Sequence, residues 1–266
     1  MQQPSQLQIE LMTVAHELAD AARPIALHFF RKSAQGLENK LSDGFDPVTL
    51  ADREIEQAMR DILTVQRPDD GILGEEFPDI PSQSGLTWVL DPIDGTRGFI
   101  SGTPTWGVLI AINDGDAPVF GIVDQPFTGE RYCGGFGTAL LRHAGREMPL
   151  GTRKTTTLSE SVIFTTFPEV GSKQEGEAFH AVAKQCKLTR YGMDCYAYAL
   201  LAAGQVDLVI EAGLNPYDIQ GPLAVIAAAG GIVTDWQGGD AQHGGRVIAA
   251  ANATIHSQAL EILARY

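Results

Sequence analysis

Apolar positions near the start of the chain recur at a helical period. Ile9, Leu11, Met12, Ala15, Leu18, Ala22 and Ile25 fall on one face, so residues from about 6 to 31 are predicted as one amphipathic helix, kinked at Pro24. The polar, glycine-containing stretch 32–47 reads as a hairpin or loop. Thr49-Leu-Ala-Asp52 then opens a second helix in the manner of a capping box. Ile55, Met59, Ile62 and Leu63 form its apolar face, and Pro68 lies just past its end.

From there the period changes to that of strands. Residues 87–90 are a short apolar run. Residues 106–112 and 119–123 are β-rich and joined by the turn signal Asn113-Asp-Gly-Asp116; residues 131–134 and 139–142 continue a meander. The polar stretch 143–157 reads as a linker and divides the chain into halves, 1–145 and 146–266. The second half alternates. Strands are predicted at 162–165, 206–210, 232–235 and 247–250, and helices at 177–185, 195–203, 218–229 and 254–265, the third ending at Gly230-Gly231. Such alternation indicates a layered α/β architecture.

Composition narrows the class. Of 266 residues, 44% are hydrophobic and 20% charged, the balance of a chain with a sizeable core rather than a disordered one. The formal charge is −14, which repels nucleic-acid phosphates and anionic membranes, so neither is expected as a partner. Cys133, Cys186 and Cys195 are too few and wrongly spaced for a disulfide framework or a zinc knuckle. The N-terminus lacks a basic segment followed by an apolar core, and no apolar run approaches the roughly 18 residues of a membrane span, so a cytoplasmic protein is expected.

The candidate chemistry is acidic. In Trp88-Val-Leu-Asp91-Pro-Ile-Asp94-Gly-Thr96, three apolar residues lead into Asp91, which should end a buried strand, because Pro92 cannot continue a central ladder. Asp94-Gly95 is a turn signal. Two carboxylates and the Ile93 carbonyl therefore converge, and hard oxygen ligands of this kind suit Mg²⁺ or Mn²⁺. A helix starting at Gly95-Thr96 would aim backbone N–H groups at an anion in the same space. Taken singly, each acid has an ordinary structural explanation. The Asp-Pro-x-Asp-Gly-Thr run can be a solvated turn, Glu75 a surface carboxylate, Asp218 a helix N-cap and Asp52 a first-turn acid.

The combination resembles the inositol monophosphatase family of Mg²⁺-dependent phosphatases. Pro47-Val-Thr-Leu-Ala-Asp52, Gly74-Glu75-Glu76, Trp88 to Thr96, and Pro216-Tyr-Asp218 with the Gly230-Gly231 helix end occur in the family's order. Tyr217 stands where the family often has Trp. The resemblance implies an αβαβα sandwich of the inositol monophosphatase/fructose-bisphosphatase type, and a homodimer. It implies that Glu75, Asp91, Asp94, Asp218 and the Ile93 carbonyl hold roughly two or three Mg²⁺ ions, with Mn²⁺ an alternative. Asp52, Thr96 and Glu75 would orient and deprotonate water. Ile93, Asp94, Gly95, Thr96 and Asp218 would border a small phosphate monoester. Bound cations would also invert the sign of an acidic pocket that otherwise repels phosphate.

Three further segments resemble the histidinol-phosphate phosphatases of that family. They are Asp91 to Ile100 with Gly102-Thr-Pro104, Gly121-Ile-Val-Asp-Gln-Pro126, and Tyr191 to Gly204 leading into Val206 to Ala212. Histidinol carries an ammonium group where inositol is neutral, so the resemblance gives Asp194 and Glu211 the task of pairing with the leaving group. Asp194 can equally be the N-cap of the helix at Cys195, and Glu211 a solvated strand end. Arg190 is a further substrate-binding candidate. Arg97 is another, although either arginine can simply pair with a surface acid. The expected function is Mg²⁺-dependent hydrolysis of L-histidinol phosphate. The rivals are an inositol-phosphate or broad sugar-phosphate phosphatase and, from another class, a non-catalytic divalent-cation binder.

Overall fold

The computed structural model describes residues 4–31, 38–39, 47–48 and 50–266. Helix α1 spans Gln6–Phe29 and carries Pro24 inside a single run. Ser5 and Gln8 close a capping box at its start, which satisfies two amides left over by the first turn. Strands β1 (Glu38–Asn39) and β2 (Pro47–Val48) pair antiparallel. The remainder of the loop expected over 32–47 lies outside the described residues, as does the expected cap Thr49. Helix α2 (Leu50–Gln66) buries Ile55, Met59 and Leu63 as their spacing predicts.

Strands β3 (Gly71–Gly74), β4 (Thr87–Asp94), β5 (Gly107–Asn113), β6 (Pro118–Gln125), β7 (Glu130–Gly135), β8 (Thr138–His143) and β9 (Arg146–Pro149) form a seven-stranded sheet in sequence order. It is antiparallel except for the parallel pair β3–β4. Helix α3 (Thr96–Ser101) sits between β4 and β5. The second sheet takes β10 (Val162–Thr165), β11 (Leu188–Tyr191), β12 (Leu208–Leu214), β13 (Ile232–Asp235) and β14 (Gly245–Ala250) in the order β11-β10-β12-β14-β13. Helices α4 (Lys173–Ala183), α5 (Asp194–Ala202), α6 (Pro216–Ala228) and α7 (Ala253–Leu263) complete the chain.

Alternation along the strands sorts these elements into layers. Val108, Ile110 and Ile112 of β5 pack with α1 and α2, whereas Leu109 faces the opposite way, into a core shared with α5 and α6. The second sheet divides likewise. Val209, Val247 and Ala249 join that middle core, and Leu208, Ile210, Ile248 and Ala250 pack with α4 and α7. The order is helices, sheet, helices, sheet, helices, the expected αβαβα sandwich.

Three sequence expectations are corrected. Strand β4 does not stop at Asp91. Its pairing with β5 shifts register between Asp91 and Asp94, and this irregularity admits Pro92, which has no N–H for a regular ladder. The stretch expected to be a linker carries β9, which pairs with β8. All four β9 residues are exposed, so no apolar period marks it. Strand β11 was not expected for the same reason: it is an edge strand with little buried surface.

Candidate active site

Parallel pairing places the first two acids side by side. Gly74 of β3 is in register with Leu90 of β4, so the next residues along, Glu75 and Asp91, are neighbours. The register shift after Asp91 then turns the chain so that Asp94 joins them. Ligand atoms of Asp91, Asp94 and Asp218 lie within 4.8 Å of one another. Asp218 comes from the other half of the chain, in the first turn of α6, where its carboxylate accepts the Asn215 amide at 2.6 Å. It is therefore not an N-cap, the ordinary alternative for this residue taken alone. Asn215 takes the cap position and Asp218 answers it from within the helix.

The electrostatics of this group call for a cation. Burial, reinforced by the charges of Glu75, Asp94, Asp218 and Asp52, raises Asp91 well above the usual carboxylate range. Burial, with Asp194 and Asp218, does the same to Asp94, against the hydrogen bond from the Cys195 amide at 2.6 Å. Burial pushes Asp218 up to about 6. Asp91 Oδ1 is buried and accepts no hydrogen bond. Several ionised carboxylates cannot share so small a volume without compensation. A divalent cation with hard oxygen ligands supplies it, and the donor set fits that class of ion. Asp52, in the first turn of α2, is buried and close enough for its charge to act on Asp91.

Asp94-Gly95-Thr96 forms the floor of the site. Thr96 donates its hydroxyl to the Ile93 carbonyl at 3.2 Å, which leaves that oxygen a second lone pair. Gly95 adopts φ +83°, and a Cβ there would meet the Asp194 side chain at 2.8 Å. Only glycine meets both demands.

A cavity of about 290 Å³ opens from these residues between the two sheets. Glu75, Asp94, Gly95, Thr96 and Asp218 line it, together with Asp194 and Glu211. Asp194 begins α5 at φ +46°, with Met193 in the cap position, so it is not the N-cap of the alternative reading. Its carboxylate accepts the Thr105 hydroxyl at 3.3 Å. Burial and the charge of Glu211 push it up to about 6, while Thr105 and Arg97 pull it back. Glu211 is likewise no solvated strand end. It is 6% exposed and accepts the Thr166 amide at 2.9 Å and the Tyr198 hydroxyl at 2.7 Å. Burial raises it, and those two hydrogen bonds oppose the rise.

Arg190 is not brought to the cavity: it is exposed on the edge strand β11 and absent from the lining. Arg97 does line it, with its guanidinium 4.8 Å from the Phe167 ring centroid. Sequence reasoning missed Thr166, Phe167 and Tyr198 as parts of this cavity, and Thr105 as the partner of Asp194. For Tyr198 a signal existed, its spacing of four from Asp194 on a predicted helix. For the others the local sequence holds none.

Comparisons with known proteins place the chain in a family. The sequence matches the inositol monophosphatase family over residues 7–266. It is 40% identical over 261 residues to a chloroplastic bifunctional phosphatase of Arabidopsis thaliana, spanning 94% of this chain and 74% of the relative. It is 31% identical to a histidinol-phosphatase of Chlorobaculum parvum, over 91% of this chain and 92% of the other. The fold superimposes on an inositol monophosphatase structure from Zymomonas mobilis with a TM-score of 0.82 at 39% identity, covering 95% of this chain and 96% of that one. With its acids gathered as the motifs require, the chain belongs to the inositol monophosphatase family.

Proposed function

We propose that this phosphatase is a Mg²⁺-dependent hydrolase of L-histidinol phosphate. The observation that carries the substrate is the pairing of two carboxylates, Asp194 and Glu211, in the same cavity as the metal-ligand acids. The Thr105 hydroxyl holds one; the Tyr198 hydroxyl and the Thr166 amide hold the other. An ammonium group on the leaving alcohol fits that pair, because it supplies N–H donors and a positive charge to two buried acids, one of which, Asp194, is raised by burial and by the charge of Glu211.

Glu75, Asp91, Asp94, Asp218 and the Ile93 carbonyl are the groups that would hold the cations. When bound, such ions lower the pKa of water and neutralise charge on phosphate and leaving oxygens. The chain's own part is orientation and proton transfer. Asp52, Glu75 and Thr96 direct a water toward phosphorus and take up its proton. A bond forms between the water oxygen and phosphorus as the ester bond breaks, and the leaving oxygen takes a proton from solvent. Backbone amides of Gly95 and Thr96 face the phosphate.

A second reading, hydrolysis of inositol 1-phosphate, is favoured by the 39% identity to the Zymomonas mobilis inositol monophosphatase. Phosphate release with Mg²⁺ distinguishes the two. On the histidinol-phosphate reading, kcat/KM for L-histidinol phosphate exceeds that for inositol 1-phosphate, and Asp194→Asn lowers the first more than the second. Asn tolerates the left-handed backbone at this position, so the variant removes charge with little strain. Equal losses on both substrates, or a wild-type preference for inositol 1-phosphate, overturn the histidinol-phosphate reading.

A further inference from the structure

Glu211 is held at both of its carboxylate oxygens. Oε1 accepts the Thr166 amide at 2.9 Å, and Oε2 accepts the Tyr198 hydroxyl at 2.7 Å. The first donor belongs to the backbone and survives any side-chain change. The second is a side chain only 2% exposed, which also lines the cavity. A carboxylate that accepts on both oxygens has a fixed plane, and its remaining lone pairs point in fixed directions.

The helix that carries Tyr198 explains the coupling to Asp194. Asp194 is the first residue of α5, and Tyr198 lies four residues on, one turn along the same face. One helix therefore presents one acid of the pair directly and orients the other through a phenol. Strand β12 contributes Glu211, and the segment after β10 contributes Thr166. Three separate elements are locked together by one carboxylate.

We propose that Tyr198 is a positioning residue for leaving-group specificity: its hydroxyl turns the Glu211 carboxylate to accept an N–H or O–H donor of the departing alcohol. The inference rests on the reading of Glu211 as a leaving-group contact. Tyr198 touches neither phosphate nor metal ligands in this role. It excludes the alternative rotamers of Glu211, whose carboxylate would otherwise have to be ordered at the moment of binding.

A double-mutant cycle tests it, run on wild type, Tyr198→Phe, Glu211→Gln and the double variant with Mg²⁺ present. The substrate is whichever of L-histidinol phosphate and inositol 1-phosphate the wild type turns over better. Tyr198→Phe is expected to lower kcat/KM about tenfold, the loss of one buried hydrogen bond to a charged group, with the larger part in KM. In the Glu211→Gln background the same change should cost little more. Multiplicative losses, or a loss confined to kcat, overturn the inference. The wild-type substrate preference judges the histidinol-phosphate reading separately, so that reading can fail while the cycle still decides the role of Tyr198. Should Tyr198→Phe not fold, Glu211→Asp withdraws the carboxylate from the hydroxyl instead. A KM defect then supports the inference, and wild-type kinetics overturn it.

Discussion

Gly95 and Asp194 occupy adjoining ground across the cavity: a Cβ on Gly95 would stand 2.8 Å from the Cβ and Cγ of Asp194. The turn that follows Asp94, a proposed metal ligand, is thereby pressed against the acid proposed to meet the leaving group. Next to this contact, the Cys195 amide donates to Asp94 Oδ2 at 2.6 Å.

Gly95→Ala is expected to damage both ends. The φ of +83° and the contact with Asp194 each oppose a side chain, so a loss of about 1–3 kcal/mol in stability is expected. Displacement of Asp194 should lower kcat/KM as well. Chemical denaturation and steady-state kinetics on the same preparation check both, and a variant with wild-type stability would show that the turn relaxes freely.

Asp94→Asn should leave a folded and inactive protein. The amide oxygen can still accept the Cys195 N–H, but a charged ligand is gone from the triad. A loss of about 4 kcal/mol in transition-state stabilisation, roughly a thousandfold in kcat/KM, is the expected scale. Near-normal turnover would remove Asp94 from the metal site. A wild-type chain that binds Mg²⁺ yet releases no phosphate would favour the cation-binding rival.

Mg²⁺ should stabilise the fold. Asp91, Asp94 and Asp218 are raised by mutual burial, a cost that a bound cation relieves. At a hundredfold excess over Kd the gain is about 2.7 kcal/mol for one site. Thermal melts with and without Mg²⁺ read it directly, and Asp218→Asn should shrink the shift. An unchanged Tm in saturating Mg²⁺ would argue against a preformed metal centre.

Acid should weaken the contact of α1 with the first sheet. Burial lowers His16 from 6.5 to about 4, helped by the charges of Arg142 and Arg131. A depressed folded-state value means that unfolding takes up a proton. The contribution is therefore fully present above 6.5 and is lost as pH falls toward 4. Denaturation midpoints measured between pH 7 and 4 should decline, and His16→Gln should flatten that decline. An identical slope in the variant would assign the acid sensitivity to other groups.

Much of the site was legible from local pattern. Apolar residues leading into Asp91, the Asp94-Gly95 turn and the early helical acid Asp52 are signals carried within a few residues; Asp91 and Asp52 are buried, and Asp91 and Asp94 lie close to Asp218, although β4 runs on past Asp91. Local sequence left two readings open where a residue's setting depends on its surroundings. Asp194 and Asp218 resemble N-caps by position, yet in each case a neighbour holds the cap position, and both side chains line the cavity. Arg190 was a secondary candidate with a surface-pair alternative, and the edge position of β11 keeps it outside.

The amino-acid order alone determined the types of most elements, the acidic motifs and the family, because periodicity and short motifs depend on local stereochemistry. Only the tertiary structure decided that Glu211 is buried rather than solvated, that Tyr198 and Thr166 hold it, and that Gly95 must make room for Asp194. These facts depend on β4, β10, β12 and α5 meeting in space. Burial and hydrogen bonding between segments far apart in the chain leave no period along it.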